Sequence, residues 1–521
     1  MTVPFYPLLL AVYPILTLLA GNIDQVPAAA ALRTALISAA SVLLLMGALR
    51  LLLRDWHRAA ALAGLAFLAF FTYGHVYAVL KNVEWMGDLV GRHRYLVPAG
   101  LALIGIAAWR ITRLRDGRQA TQTLNVVGIV LAALPLLQLA LYQVQLRRGQ
   151  TSAHTQAGEL TGYRPDRPPD IYYLVLDAYT RQDVLRSRFG IDNTAFLDGL
   201  RDMGFHVAEC AQSNYAQTEL TLATTLNLDY LDRLGDFPPD GRDRTPLLFL
   251  GRASAVRQIL ERMGYQVVAF ETGYAFSEWQ DADVYLHPPR PGLDFPLTAF
   301  EEILLKSTAL SILIDAPSAL PAALGGALEG PLAVHRERVL YDLDALPRLA
   351  DDPGPKFVFA HIVAPHRPYL FRPGADSSAA RAALLPDFDD QAADGYVLGY
   401  RNQVLYLNDR LLPILERLIQ GSPVPPIILL HGDHGPDEAA GAERMAILNA
   451  GYFPGLDPES LSATRSPVNN FRLVLRAFFG IDLPDLADSS FYSTYDAPFD
   501  FAPIEPSCAF EGPATPMGDS P

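Results

Sequence analysis

The stretch SNYAQTELTLATTLN (Ser213 to Asn227) carries four threonines, Thr218, Thr221, Thr224 and Thr225. A hydroxyl is a weak nucleophile until a base or a metal ion takes its proton. Thr218 stands where a helical pattern with Leu220, Leu222 and Leu226 begins. A helix N-terminus aims N–H groups and a positive dipole end at an incoming anion, and threonine is also a favoured N-cap or first-turn residue. Capping and nucleophilic attack are therefore both open readings of Thr218. Thr221, Thr224 and Thr225 fall further in and are expected to pack. A second set of chemical residues closes the run PIILLHGDHG, where Asp433 and His434 stand side by side. Two adjacent polar groups at the end of an apolar run cost desolvation unless they have partners. Carboxylate oxygen with imidazole suits Zn²⁺ or Mn²⁺. Asp177 ends another such run, PDIYYLVLDAY, as a further ligand or as a turn former. In HIVAPHRPY, His366 sits in loop-like sequence and could bind an anionic substrate. His361 and His431 lie deeper in their runs and read as satisfied structural histidines.

These residues need a frame that brings them together. IYYLVL, YQVVAF, KFVFAHIV and PIILLHG are continuous apolar runs rich in β-formers, the pattern of strands buried on both faces. Helical segments such as NTAFLDGLRDMG and ASAVRQILERMG lie between them, each ending in a glycine that can cap the helix. Strands alternating with helices predict an α/β domain with a mainly parallel sheet. In such sheets the chemistry gathers beyond the carboxyl ends of the strands, which is where Asp177, His366, Asp433 and His434 fall.

The first part of the chain is different. Half of the 521 residues are hydrophobic and only 19% are charged. The excess is concentrated before residue 145. Five segments are apolar enough to be spans of ~20 residues: 5–21, 34–53, 59–80, 95–111 and 124–144. The first has no basic n-region and no clean small-residue cleavage site, so it reads as an anchor rather than a cleaved signal. Arg50, Arg54 and Arg58 flank one loop and Arg110, Arg113, Arg115 and Arg118 another. Positive charge favours the cytoplasmic side, which puts all that follows the fifth span outside, against the weaker signal of Arg147 and Arg148. Little inside the spans is ionisable except His75, near the end of the third, so a scaffold is expected here rather than a transport path. The expected boundaries are a transmembrane domain at 1–145, a linker at 146–168, a catalytic domain at 169–499 and a Pro-rich tail at 500–521. A net charge of −15 argues against a nucleic acid partner. Arginine far outnumbers lysine and alanine is abundant, a composition typical of a GC-rich bacterial genome.

Taken together, Asp177, Thr218, His366 and the Asp433-His434 pair resemble the site of the alkaline phosphatase/sulfatase superfamily. Within it the layout is similar to membrane-anchored lipoteichoic acid synthase-like and phosphoethanolamine transferase-like (sulfatase-domain) proteins. The resemblance covers Pro169 to about Tyr492 and includes YRNQVLYLNDRLLPILERL, which looks like the helix before the GDHG strand. It implies about five transmembrane helices followed by an alkaline phosphatase-like α/β domain outside the inner membrane of a bacterium. It further implies a metal, Mn or Zn, on Asp177, Thr218, Asp433 and His434, with Thr218 as nucleophile and His366 on the substrate. The expected activity is transfer of a phosphoglycerol or phosphoethanolamine type group from a phospholipid to an envelope glycan or lipid. A phosphodiester hydrolase or sulfatase-like esterase on the same site, and a catalytically silent membrane scaffold, are the alternatives. The sequence departs from the pattern in three places. Asp177 stands where the transferases usually have Glu. Cys210 is followed by Ala-Gln-Ser-Asn, which lacks the Pro and Arg of a sulfatase signature. No histidine follows GDHG closely, and Glu443 or Arg444 occupies that neighbourhood, with Arg444 a candidate partner of substrate phosphate.

The two cysteines, Cys210 and Cys508, both fall in the outside half. An oxidising compartment permits a disulfide between them, and buried free thiols are the alternative. The oily stretch from Leu304 to Gly330 is interrupted by Asp315, Pro317 and Pro321. It is expected to pack as ordinary helix or to lie on the membrane surface, not to span.

Overall fold

The computed structural model describes residues 3–508 apart from 24, 25, 27, 82, 86, 87, 90, 114, 115, 158–161, 164, 290–297, 315–329 and 375–392. The chain divides into two units, one of Met1–Val144 with Arg290–Val334, the other of Gln145–Pro289 with His335–Pro521.

The first unit is built on α1 (Tyr6–Gly21), α2 (Leu32–Leu53), α3 (Trp56–Leu80), α4 (His93–Thr112) and α5 (Arg118–Ala157), with a hairpin of β1 (Glu84–Trp85) and β2 (Asp88–Leu89) between α3 and α4. Asp55 starts α3 by accepting from the backbone N–H groups of His57 and Arg58, as an N-cap should. Five spans were expected, and among the described residues four helices are long and apolar enough to cross a membrane. The exception is α1. Its 16 residues rise ~24 Å at 1.5 Å each, short of a ~30 Å hydrocarbon core. Polar side chains of α5 close both its ends. Asn125 Oδ1 accepts from Phe5 and Tyr6 N–H, and Gln138 donates to the Ala20 carbonyl. Such groups have no partner inside a helix terminus. The two Arg-bearing turns lie together at one end of the bundle, where His57 Nδ1 and Thr121 Oγ1 are 2.8 Å apart.

Two expected boundaries shift. The segment expected as a linker is helical as far as Ala157. Residues 290–334, expected within the catalytic domain, group instead with the membrane unit. There α12 (Ala299–Lys306) opens on a capping box between Thr298 and Glu301, and Phe300 and Leu304 are buried with Ile15, Leu19 and Phe71. A short α13 (Ser311–Ile314) follows. The described part of the oily stretch is thus packed helix. Asp315, Pro317 and Pro321 lie outside the described residues.

The second unit is a seven-stranded sheet in the order β4 (His206–Val207), β9 (Asn449–Tyr452), β8 (Ile427–Gly432), β3 (Ile171–Leu176), β7 (Lys356–Ile362), β5 (Gln266–Phe270), β6 (Val284–Leu286). The five strands from β8 to β6 are parallel, and β9 and β4 run antiparallel to their neighbours. Every residue of β3, β7 and β8 is buried, which accounts for their unbroken apolar runs. One face packs on α6 (Gln182–Phe189), α7 (Thr194–Asp202), α14 (Gly330–Ala345) and α15 (Ala393–Gly421). The other packs on α8 (Thr218–Asn227), α11 (Ala255–Arg262) and α17 (Val468–Phe479). Short helices α9 (Leu231–Leu234), α10 (Thr245–Arg252) and α16 (Gly441–Met445) complete the unit. Part of the expected tail is ordered, since β11 (Ala502–Ile504) pairs with β10 (Ser490–Tyr492). Beyond it Cys508 is disulfide-bonded to Cys210.

Candidate metal centre and nucleophile

The register of three parallel strands assembles the site. Leu176 of β3 pairs with Gly432 of β8 on one side and Ile362 of β7 on the other. The next residue along β3 is Asp177 and the next along β8 is Asp433, so two carboxylates separated by 256 positions become neighbours. One step back, Val175 is flanked by His361 and His431. Side chains alternate along a strand, so residues 175, 177, 361, 431 and 433 all face the layer that contains α8. Immediately after Asp177 the chain turns through Ala178, at φ 64°, a left-handed conformation that is costly for a residue with a Cβ. The turn aims the Ala178 N–H at Asp433 Oδ1, 2.9 Å away. Glycines flank the Asp-His pair because backbone approaches closely on both sides. A Cβ on Gly432 would lie 2.2 Å from the Tyr179 carbonyl oxygen, and one on Gly435 2.5 Å from that of Glu443.

Among the described residues, Asp177, Asp433 and His434 each offer a ligand atom within 4.8 Å of the others, and all three are buried. His434 Nδ1 donates to the Gly435 carbonyl at 2.8 Å, which leaves the Nε2 lone pair facing inward. That nitrogen is 3.6 Å from Asp177 Oδ1, 3.5 Å from Asp433 Oδ2 and 3.2 Å from Thr218 Oγ1. Neither carboxylate oxygen has a hydrogen-bond partner. Two buried anionic oxygens and an imidazole lone pair around one point repel one another, and a cation among them removes that cost. The donor set therefore fits a divalent metal of the Zn²⁺ or Mn²⁺ kind.

Thr218 is the first residue of α8, and Gln217 before it occupies the N-cap without using its side chain there. The Thr218 hydroxyl therefore meets His434 rather than capping the helix. All ten residues of α8 are buried. Thr221 and Thr224 donate to the carbonyls of Tyr215 and Leu220, and Thr225 is buried beside them. The helix start is fixed from behind by a network that sequence patterns did not disclose. Arg244 Nε is 3.2 Å from Glu219 Oε1, Arg244 also donates to Gln217 Oε1 at 2.9 Å, and the Tyr274 hydroxyl donates to Glu219 Oε2 at 3.0 Å. The guanidinium lies 3.8 Å above the Tyr495 ring.

His366 lies past β7, its backbone N–H donating to the Asp177 carbonyl at 3.0 Å. Its ring bridges the Arg367 carbonyl at 2.6 Å and Asp437 Oδ2 at 3.1 Å. Burial alone would lower its pKa, but the charge of Asp177 and the bond to Asp437 outweigh that and raise it to about 10. Asp437 is held well below the usual carboxylate range; its burial is overcome by the bond to His366. Asp177 is likewise held low, its burial overcome by His366, His361 and His434. Arg444, a candidate phosphate partner by sequence, is engaged otherwise. It donates to the carbonyls of Ala216 and Gly435 and to Asp437 Oδ1, clamping the GDHG loop to the segment before Thr218. Glu443 pairs with Arg188.

Two further residues belong to the site. Asp437 stands four positions after Asp433, and only the loop fold turns it toward His366. His361 is fully buried, and its Nε2 is 3.4 Å from Asp177 Oδ2 while Nδ1 is 2.8 Å from Ser277 Oγ. Its place one residue before the end of β7 was the available signal. His431 is satisfied by Tyr173 OH and the Gly432 carbonyl.

No protein-family model and no curated protein matches the chain. Several solved structures do. The integral membrane protein lipooligosaccharide phosphoethanolamine transferase A from Neisseria meningitidis is 13% identical, with 92% of this chain and 96% of that one covered at a TM-score of 0.39. The zinc complex of the C-terminal periplasmic domain of EptC from Escherichia coli is 12% identical over 62% of this chain and 86% of its own, at a TM-score of 0.40. A 2-O GAG sulfatase is 11% identical over 61% and 72%, at 0.39. The solved structures that the chain resembles thus include phosphoethanolamine transferases and a sulfatase.

Proposed function

We propose that the chain is a metal-dependent, membrane-anchored phosphotransferase of the bacterial envelope. It moves a phosphoglycerol- or phosphoethanolamine-type group from a lipid donor to a glycan or lipid acceptor through Thr218. The observation that carries this reading is the convergence of Thr218 Oγ1, His434 Nε2, Asp177 Oδ1 and Asp433 Oδ2 at the start of a buried helix, with neither carboxylate oxygen holding a hydrogen-bond partner. Asp177, Asp433, His434 and Thr218 would hold the metal. When bound, Zn²⁺ or Mn²⁺ supplies Lewis acidity, which lowers the pKa of the threonine hydroxyl and offsets charge on phosphate oxygens. The N–H groups at the start of α8 face the incoming anion.

The Thr218 oxygen, its hydroxyl proton released to solvent beforehand, attacks phosphorus, the bond to the leaving alcohol breaks, and a phospho-threonine ester forms. His366, kept protonated at neutral pH by Asp437 and Asp177, donates its proton to the departing oxygen. In the second half the acceptor hydroxyl attacks, returns a proton to His366, and releases Thr218. Arg444 and the Glu219–Arg244 pair keep the loop and helix start in register. The lipid donor is inferred from the motif resemblance and the apolar helices of the first unit, since a fold does not itself define a substrate.

The test is mass analysis of the full-length protein in nanodiscs containing phosphatidylethanolamine and phosphatidylglycerol, with Mn²⁺ or Zn²⁺. An adduct on the Thr218 peptide, absent from Thr218→Ala, is expected, and its mass names the group. Ester turnover that persists in Thr218→Ala would sink the covalent mechanism. Absence of both metal and turnover would leave a scaffold.

A further inference from the structure

Within the membrane unit, α12 and the turn after it (Thr308 and Leu310) wall a cavity of about 660 Å³ against α1, α2 and α3. That size is ordinary for a small-molecule pocket. Its α2 wall is Arg33, Thr34, Ile37, Ser38 and Ser41, one helix face from position 33 to position 41. Such a face runs ~12 Å along the axis. Phe67, Phe70 and Phe71 of α3 and Leu304 and Leu305 of α12 line the rest. Three of the four hydroxyls in the wall are spoken for. Ser38 donates to the Ala11 carbonyl, Thr34 to Ala31 and Thr308 to Leu305. Below Arg33 the wall therefore asks for an apolar ligand.

The wall is built rather than a gap between loose helices. Glu301, nearly fully buried, forms an ion pair with Arg33. Ala309 N–H donates to the Phe70 carbonyl at 2.8 Å. Gly74 admits the chain so closely that a Cβ there would stand 2.3 Å from the Ser307 carbonyl carbon.

Position decides the occupant. Arg33 begins α2, at the end of the helix opposite the Arg50–Arg54 turn. By the arginine distribution that end is the outer face. A groove that starts at an ion pair at the interface and descends ~12 Å matches one leaflet of a ~30 Å core. We infer that this groove binds one acyl chain of an outer-leaflet glycerophospholipid, its phosphate at the level of Arg33. The inference rests on the membrane reading of the first unit and not on Thr218 chemistry.

The experiment uses the full chain in nanodiscs of phosphatidylethanolamine and phosphatidylglycerol, each in turn carrying a diazirine midway along one acyl chain. After photolysis, peptides are mapped for adducts. Adducts should concentrate on Ile37, Ser41, Phe67 and Leu304, above those on Leu103, which is 68% exposed on α4. Ser41→Trp, filling the groove from α2, should reduce groove labelling to the Leu103 level. Thr308→Phe, filling it from the opposite wall, should do the same if Ser41→Trp fails to fold. Capture of either headgroup supports the inference, because the groove reads the chain. Labelling spread evenly over groove and α4 overturns it, as does crosslinking of the groove to a second copy of the protein. Crosslinking needs no turnover, so failure of the phospho-threonine mechanism leaves this result intact.

Discussion

Asp433→Asn separates the metal from the fold. Asp433 Oδ1 accepts from Ala178 N–H and His434 N–H, both at 2.9 Å. Oδ2 has no hydrogen-bond partner and faces His434 Nε2 at 3.5 Å. An asparagine keeps the Oδ1 bonds and turns its NH₂ toward the lone pairs that now repel one another. The Asp177 and Asp433 ligand atoms are no more than 4.8 Å apart. Two charges at that distance repel by ~3 kcal/mol at an effective dielectric of ~20. Without metal, Asp433→Asn is therefore expected to unfold at the same temperature as wild type or higher. With metal at ~1,000 times its dissociation constant, wild type gains ~4 kcal/mol and the variant gains almost nothing. The assay is thermal unfolding of the full chain in detergent across a chelator and Mn²⁺ or Zn²⁺ series, with metal content measured in parallel. A wild type whose transition ignores metal would refute the reasoning, as would a variant that keeps the full metal shift.

Three other outcomes follow from the packing. Lys356 Nζ is 2.6 Å from Asp170 Oδ2, and both side chains are buried at the amino end of the sheet; Lys356→Met alone leaves an unpaired buried charge and should cost ~3–5 kcal/mol in denaturant unfolding, much of it recovered by adding Asp170→Asn. Burial pushes His431 from 6.5 down to about 4, so the unfolded chain binds more protons between those values. Stability from this group is present above 6.5 and is lost as pH falls toward 4, by about 3 kcal/mol. Chelated wild type should show that slope in urea unfolding between pH 6.5 and 4, and His431→Gln should lack this share. The Cys210–Cys508 bond spans 298 positions, so Cys508→Ser should cost ~2–4 kcal/mol, read as a lower unfolding temperature that reductant does not lower further.

The strand cores were legible because each is a local property. A run such as IYYLVL, buried on every side, has to be apolar throughout, and its first polar residue marks its end. For the same reason Asp177 and the Asp433-His434 pair stood out. The helix start at Thr218 was legible too, though its hydroxyl serves His434 and not the helix. The membrane helices showed equally well by composition, except that α1 is too short to count on length alone.

Sequence by itself determined the class of each element and the residues with chemistry to offer, because hydrophobic period and helix or strand propensity act over neighbouring positions. Tertiary structure alone decided which of them meet. Strand register, a matter of pairing between distant segments, set Asp177 beside Asp433. Loop closure turned Asp437 to His366 and drew Arg444 into a clamp on the Ala216 and Gly435 carbonyls. Packing carried α12 into the membrane unit, where Glu301 found Arg33. No local pattern encodes such contacts, because their free energy appears only when the chain has closed the loops that bring the partners together.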